Sequence, residues 1–285
     1  MNMGKADYGN ETGKKEKRMK NAIRKELAAV GKQEERLRKA SAREGSRPLV
    51  MIAAKIPPKA AGHLEKAFCK AFTVVFGKGT DMIEKGFRKD AIREDYMVRD
   101  YAVQVKGGRK ELRGMESGAR EAGRRNLALT AAEGIGLGIF GIGLPDIVVF
   151  TGMLLKGIYE TALHYGFSYD TEEERLFILK MMETALSKGE EWEENNQTVD
   201  GWLQNGIPVP EGDALEIQAD RTARAFAMDM LVLKFIQGIP VAGVLGGAGN
   251  PVYYRQVMRY VRLKYRKRYL LGCSNEHGKE ERTDS

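Results

Sequence analysis

The chain has 285 residues, a formal net charge of +8 and two cysteines. This length supports a hydrophobic core without covalent staples, and two cysteines exclude both a disulfide framework and a cysteine-based zinc motif. Because no secretory signal follows the first methionine, we expect a cytoplasmic protein in a reducing compartment.

Positive charge is concentrated at the two ends of the chain. Residues 1–47 contain 14 Lys and Arg against 7 Asp and Glu, residues 251–285 contain 9 against 4, and the residues between them contain 24 against 28. We predict a basic extension over 1–47, either disordered or a solvated helix, a helical domain over 48–272 and a polar tail over 273–285. Basic ends suit contact with lipid headgroups or nucleic acid, unless they serve only to keep the chain soluble.

Helical periodicity recurs through the middle of the chain. Apolar residues between Leu64 and Phe76 follow the i, i+3, i+4 spacing of an amphipathic helix. Thr171 and Glu174 have capping-box spacing, which indicates the start of another helix. Further helices are predicted over 90–106, 111–133, 145–166, 213–237 and 251–271. The acidic residues 189–213 are predicted as a loop, with a helical turn at 190–195 or a functional role. No strand pattern occurs, so the sequence predicts an all-α, single-domain fold.

Two apolar, glycine-rich runs interrupt these helices, "GIGLGIFGIGL" at 134–144 and "IPVAGVLGGAG" at 239–249. Each run contains a pair of glycines four residues apart, a spacing that lets two helix backbones approach closely. The pairs are Gly134 with Gly138 and Gly243 with Gly247. We predict that the two runs pack against each other in the centre of the domain.

The first run has two alternative interpretations. Residues 134–155 have the length of a membrane span, but Asp146, six glycines and a proline bring the predicted insertion free energy close to zero. Gly136, Gly138 and Gly141 match the glycine spacing of a dinucleotide-binding loop. Helix-forming residues stand where that motif needs a strand, so we expect no nucleotide and no other cofactor.

The segment 251–271, "PVYYRQVMRYVRLKYRKRYLL", contains seven basic residues and no acid. Basic and aromatic side chains on adjoining helical faces are typical of a helix that lies on a membrane surface. The predicted membrane or anion contacts are Arg255, Arg259, Arg262, Arg266, Tyr254 and Tyr265. These side chains would also suit the phosphates and bases of a nucleic acid. A helix packed on the core with one solvated cationic face is the third interpretation.

Catalytic chemistry has few candidates. Asp146 is a carboxylate in apolar surroundings, although it is also well placed to stabilise a helix N-terminus. His164 lies near the end of the same predicted helix, and the 18 residues between them correspond to about 27 Å, too far for a dyad. No histidine or cysteine pair has metal-ligand spacing. We expect a non-enzymatic protein without a metal; a hydrolase that uses Asp146, His164 or acids of 189–213 is the alternative.

Three segments stand out together: "GIGLGIFGIGLPDI", "ETALHYGFSYDTEEERLFIL" and the closing "GIPVAGVLGGAGNPVYYRQVMRYVRLKYRKRYLL". In combination they resemble the EcsC family, bacterial proteins named for a component encoded beside an ABC transporter, and the resemblance extends over 48–272. It supplies no catalytic residues. With the basic ends, it favours a lipid-binding or ABC-transporter accessory protein at the cytoplasmic face of the inner membrane. The expected partner is an anionic membrane surface rather than nucleic acid.

Overall fold

The structure is a computed structural model, and it describes residues 4–44, 55–76, 80–137, 144–236 and 249–283. Within these residues it contains helices and no strand, which confirms the predicted all-α class. The helices are α1 (Gly4–Glu44), α2 (Pro58–Val74), α3 (Thr80–Glu84), α4 (Lys89–Lys106), α5 (Arg109–Leu137), α6 (Leu144–His164), α7 (Glu172–Leu186), α8 (Gly189–Asn205), α9 (Ala214–Ile236) and α10 (Gly249–Thr283).

The last helix is the centre of the fold. α10 packs against α1, α5, α6, α7 and α8. Its buried side chains lie on nearly every side of the helix, whereas a peripheral helix buries a single stripe. They include Tyr254, Val257, Tyr260, Tyr265 and Leu270. The closing segment is therefore a core helix, and its backbone stays helical to Thr283, through the predicted polar tail.

The basic extension forms a long helix that is only partly solvated. Met19, Ala22, Ile23 and Val30 of α1 are buried against a surface made by α5, α8 and α10. Their spacing places these few apolar residues on one side of the helix. Within the segment 1–47 alone, these few apolar side chains have nothing to pack on, which is why the sequence predicts a disordered or solvated extension. In the folded chain, the surface around α10 supplies the missing partner.

A glycine and a helix cap define the connection between α6 and α7. Gly166 has a φ of +79°, in the left-handed region that glycine adopts without strain. Oγ1 of Thr171 accepts a hydrogen bond from the backbone N–H of Glu174 at 3.2 Å, as the capping-box spacing predicts. The Glu174 carboxylate does not complete the box, because it accepts hydrogen bonds from Tyr265 and Arg268. One half of the motif thus caps α7, and the other half joins α7 to α10.

Removal of the Thr171 hydroxyl tests this cap. We expect Thr171→Ala to lower the free energy of unfolding by about 1 kcal/mol, because the N–H of Glu174 loses its acceptor. Thr171→Ser keeps an acceptor oxygen and should match the wild type. Urea denaturation followed by circular dichroism measures both variants. Equal stability of Thr171→Ala and the wild type would contradict a stabilising cap.

The predicted loop over 189–213 is wrong over most of its length, because α8 occupies Gly189–Asn205. Its buried side chains are Trp192, Asn195, Asn196 and Val199. They recur every three to four residues, which is the period of a helix. Acidic residues between them dominate the composition of the segment and obscure this period. Only residues 206–213 are non-helical.

The glycine runs fall largely outside the described residues. Gly138, Gly243 and Gly247 lie outside them, and the side-chain surroundings of Gly134 are also outside. The predicted packing of one run on the other therefore stays a prediction. No helix in the described parts of the chain combines the length and the apolar composition that crossing a membrane requires.

Candidate anion-binding cleft

Four consecutive or nearly consecutive cations of α10, between Lys264 and Arg268, form ion pairs inside the domain. Lys264 is fully buried and contacts Glu34 of α1 and Asp200 of α8, the latter at 2.6 Å. Arg268 contacts Glu174 of α7 at 2.7 Å. Each of these acids belongs to a different helix, so the charges of α10 hold the surrounding helices in place.

The predicted membrane contacts of α10 do not form one surface. Tyr254, Tyr265 and Arg266 are 1%, 0% and 5% exposed, Arg262 is half-buried, and only Arg255 and Arg259 are exposed. Tyr254, Tyr265 and Arg266 are therefore buried in this conformation, and their contact with a membrane or an anion stays a prediction. The physical reason is that five other helices cover α10, and the periodicity of one segment does not reveal what packs on it.

The two catalytic candidates stay apart. Asp146 and His164 lie at opposite ends of α6, and the Asp146 side chain is outside the described residues. Nδ1 of His164, a residue that is 8% exposed, lies 3.7 Å from Oδ2 of Asp95 on α4. Burial lowers the pKa of His164, and the charge of Asp95 opposes this shift without overcoming it. His164 is thus a buried ring at a helix contact, and the structure does not bring it together with Asp146.

A cleft of about 430 Å³ lies between α1 and α5, with α10 beneath it. Its lining residues are Glu26, Ala29 and Gln33 of α1, Arg113, Glu116, Ser117, Arg120 and Arg124 of α5, and Arg266 of α10. Four arginines therefore face two carboxylates. The cleft carries a net positive charge at neutral pH, since arginine stays protonated.

Arginines already engage both carboxylates of the cleft. Glu26 is 1% exposed and accepts hydrogen bonds from three guanidinium groups. The donors are Arg109 at 2.6 Å, Arg113 at 3.2 Å and Arg266. Burial opposes ionisation of Glu26, but the hydrogen bond from Arg109 and the arginine charges outweigh it and lower the pKa of Glu26. Glu116 contacts Arg120 at 2.6 Å and Arg266 at 3.1 Å.

Cations extend from the cleft along both of its walls, and all of them except Arg109 are exposed. On α1, Lys14, Arg18, Lys25, Lys32 and Arg36 follow one another at intervals of four or seven residues. On α5, Arg109, Arg113, Arg120 and Arg124 follow the same intervals. Such intervals place side chains along one side of a helix, and in α1 this side adjoins Ala29 and Gln33. We call these nine residues the cationic face.

Charge counts by segment do not reveal the cationic face. The intervals of four and seven residues were the available signal, and they occur in both helices. That α1 and α5 are neighbours follows from the tertiary fold, which the intervals do not reveal.

A family model described as the EcsC protein family matches residues 21–270. The chain belongs to the EcsC family. The resemblance seen in the three sequence segments is thus confirmed, and the match begins inside α1 rather than at residue 48. All residues that line the cleft of this EcsC-family protein lie within the match. No curated protein and no solved structure matches the chain.

Proposed function

We propose that this EcsC-family protein is a peripheral, non-enzymatic module that binds anionic lipid headgroups at the cytoplasmic face of the inner membrane. The observation that supports the proposal is the cationic face, nine cations on two neighbouring helices. A basic residue close to an anionic membrane contributes about 1 kcal/mol to binding, within a Debye length of about 8 Å. A row of such residues on adjoining helices reaches the same headgroup layer together.

The two long walls of the cleft suit this role better than α10 does. The buried cations of α10 have carboxylate partners, whereas α1 presents Lys25, Lys32 and Arg36 directly to solvent. A role as an ABC-transporter accessory is the further part of the proposal, and the family resemblance is its support. In that role, the cationic face would hold the protein on the membrane beside the transporter.

Vesicle flotation tests the membrane proposal. We expect the protein to float with vesicles of phosphatidylcholine and phosphatidylglycerol, and to stay in the soluble fraction with phosphatidylcholine alone. The triple variant Lys25→Gln, Lys32→Gln, Arg36→Gln should lose about a hundredfold in affinity, because three charges leave the cationic face. Added salt should weaken wild-type binding, since exposed charges are screened.

Three lysines of α2 provide a matched control. Lys59, Lys66 and Lys70 are exposed and have the same intervals as the three cations changed in α1, so the triple glutamine variant of α2 removes equal charge. It should retain most of the vesicle binding. Equal losses in the two triple variants, or no flotation of the wild type, would contradict the proposal. Binding to duplex DNA at moderate salt without binding to vesicles would favour the nucleic-acid alternative.

A further inference from the structure

The outward side of α4 is apolar. Four large apolar side chains on this side are exposed to solvent, namely Met97 (61%), Val98 (69%), Tyr101 (71%) and Val105 (46%). Their spacing of three and four residues places them along one side of the helix. Ile92 and Val103 are buried on the opposite side, where α4 packs against α5 and α6. The outer face of a surface helix usually carries charged and polar residues, so the apolar outer face of α4 is unusual.

These four side chains form a cluster, unlike the other exposed apolar residues. Among the described residues, the other large apolar side chains that are exposed lie singly on different elements. They are Val74 on α2, Val149 on α6, Val209 between α8 and α9, Ile217 on α9 and Val252 on α10. Single apolar side chains on a surface need no explanation, whereas a contiguous group of them indicates a contact site. We call Met97, Val98, Tyr101 and Val105 the α4 patch.

Charges of opposite sign lie at the two ends of the α4 patch. Asp90 and Glu94 precede it on the same side of α4, and both are exposed. Lys106 and Lys110 follow it, at the end of α4 and in the first turn of α5, and both are also exposed. Within the described part of the chain, none of these four residues forms an ion pair. The α4 patch is thus acidic at one end and basic at the other.

A helix face with this order of charges is complementary to itself. In a two-fold symmetric contact, each residue i that contacts residue j of the other copy is matched by j contacting i. With the axis near Tyr101, the apolar side chains of two antiparallel helices meet, and the acids of each copy lie at the basic end of the other. Arg93 is a further exposed cation, and it lies on the opposite edge of α4 from Lys106. The axis brings equal edges together, so these like charges stay apart.

We propose that the α4 patch is the contact surface of a homodimer, in which α4 packs antiparallel against α4 of a second copy. A membrane is a poorer occupant, because anionic headgroups would repel Asp90 and Glu94. One pair of helices covers less area than the about 800 Å² per partner of a standard interface, so we expect a dissociation constant in the micromolar range. Dimerisation through α4 does not depend on the membrane proposal.

Sedimentation velocity of the full chain over a dilution series tests the dimer. We expect monomer to give way to dimer as the concentration rises through the micromolar range. Val98→Glu places a carboxylate without a partner in the apolar contact and should weaken the dimer roughly a hundredfold. Ile217→Glu is the matched control, because Ile217 is another exposed, β-branched residue of a helix, and it should dimerise like the wild type. Both positions are exposed, so circular dichroism should show the wild-type fold in both variants.

Charge reversal gives a second readout, which is specific for the antiparallel arrangement. Changing Asp90 and Glu94 together to Lys should weaken the dimer about tenfold, because like charges then meet at both ends of the contact. Changing Lys106 and Lys110 together to Glu should weaken it to a similar degree. The quadruple variant restores opposite charges and should recover most of the wild-type affinity. A quadruple variant that dimerises no better than the two double variants would overturn the antiparallel contact.

The outcomes separate the dimer from the membrane proposal. A wild-type chain that stays monomeric far above the micromolar range, or equal dimerisation of Val98→Glu and Ile217→Glu, would overturn the dimer and leave the membrane proposal standing. Loss of vesicle flotation in Val98→Glu, with a monomeric wild type, would assign the α4 patch to lipid and also overturn the dimer. A dimer that Val98→Glu disrupts, in a chain that floats with no vesicle, would support the contact and contradict the membrane proposal.

Discussion

Glu26→Gln is expected to lower the free energy of unfolding by about 3 to 5 kcal/mol, the usual cost of removing one partner from a buried ion pair. The Glu26 carboxylate is 1% exposed and contacts Arg109, Arg113 and Arg266. Without the charge of Glu26, the buried Arg266 keeps only Glu116 as an acidic contact among the described residues. The free energy of unfolding of an ordinary domain is about 5–15 kcal/mol. This one substitution therefore removes a large part of the stability.

The same carboxylate gives stability a specific pH dependence. The pKa of Glu26 is lowered in the folded state, so its contribution is fully present above the unfolded-state pKa of about 4.3 and is lost as the pH falls through the folded-state pKa. The wild type should therefore lose stability relative to Glu26→Gln as acid is added below about pH 4.3. Guanidinium denaturation of both proteins at a series of pH values measures the difference.

Glu35→Gln is the matched control, because it is the same chemical change in the same helix. The Glu35 side chain is 43% exposed and pairs with Arg38 one turn away. Surface pairs of this kind contribute little to stability, so the denaturation midpoint should not move. A Glu26→Gln protein as stable as Glu35→Gln would contradict the docking of α1 on α10.

Local patterns in the sequence predicted local structure well. The all-α class and the cap at Thr171 depend on neighbouring residues, and the structure bears them out. The environment of α10 depends on distant residues. Arg266 binds Glu26, which is 240 positions away, and no pattern within 251–271 contains that acid. A basic amphipathic helix at a membrane and a core helix with internal ion pairs therefore have the same sequence signature.

The candidate site was predictable in part. The intervals of the cations in α1 and α5 are visible in the sequence and indicate one charged side on each helix. The contact of Arg262 with Gly123 is different, because it depends on which side of α10 meets α5. Close packing at two glycines outside the predicted runs also depends on the tertiary fold. Gly118 makes room for the imidazole ring of His164, and Gly157 makes room for the hydroxyl and ring of Tyr254.

Gly157→Ala is therefore expected to destabilise the fold by about 1 to 3 kcal/mol, the usual cost of an overpacked core. A Cβ atom at Gly157 would overlap the Tyr254 hydroxyl and lie 3.1 and 3.2 Å from Cζ and Cε2 of that ring. Gly152→Ala in the same helix should change the free energy of unfolding in the opposite direction. Nothing lies within 4 Å of a Cβ atom at Gly152, so alanine there should stabilise α6 by about 0.5 to 1 kcal/mol.

Both variants add one methyl group to α6. Opposite changes in stability therefore distinguish the effect of close packing from the effect of helix propensity. Tyr254→Phe in the Gly157→Ala background should recover part of the lost stability, since the overlapping hydroxyl is gone while the two close ring carbons remain. A double-mutant cycle of urea denaturations measures this coupling. Stabilisation by Gly157→Ala, or additive effects of the two changes, would mean that α6 and α10 are not in close contact at Gly157. That result would weaken the conclusion that α10 lies at the centre of the fold.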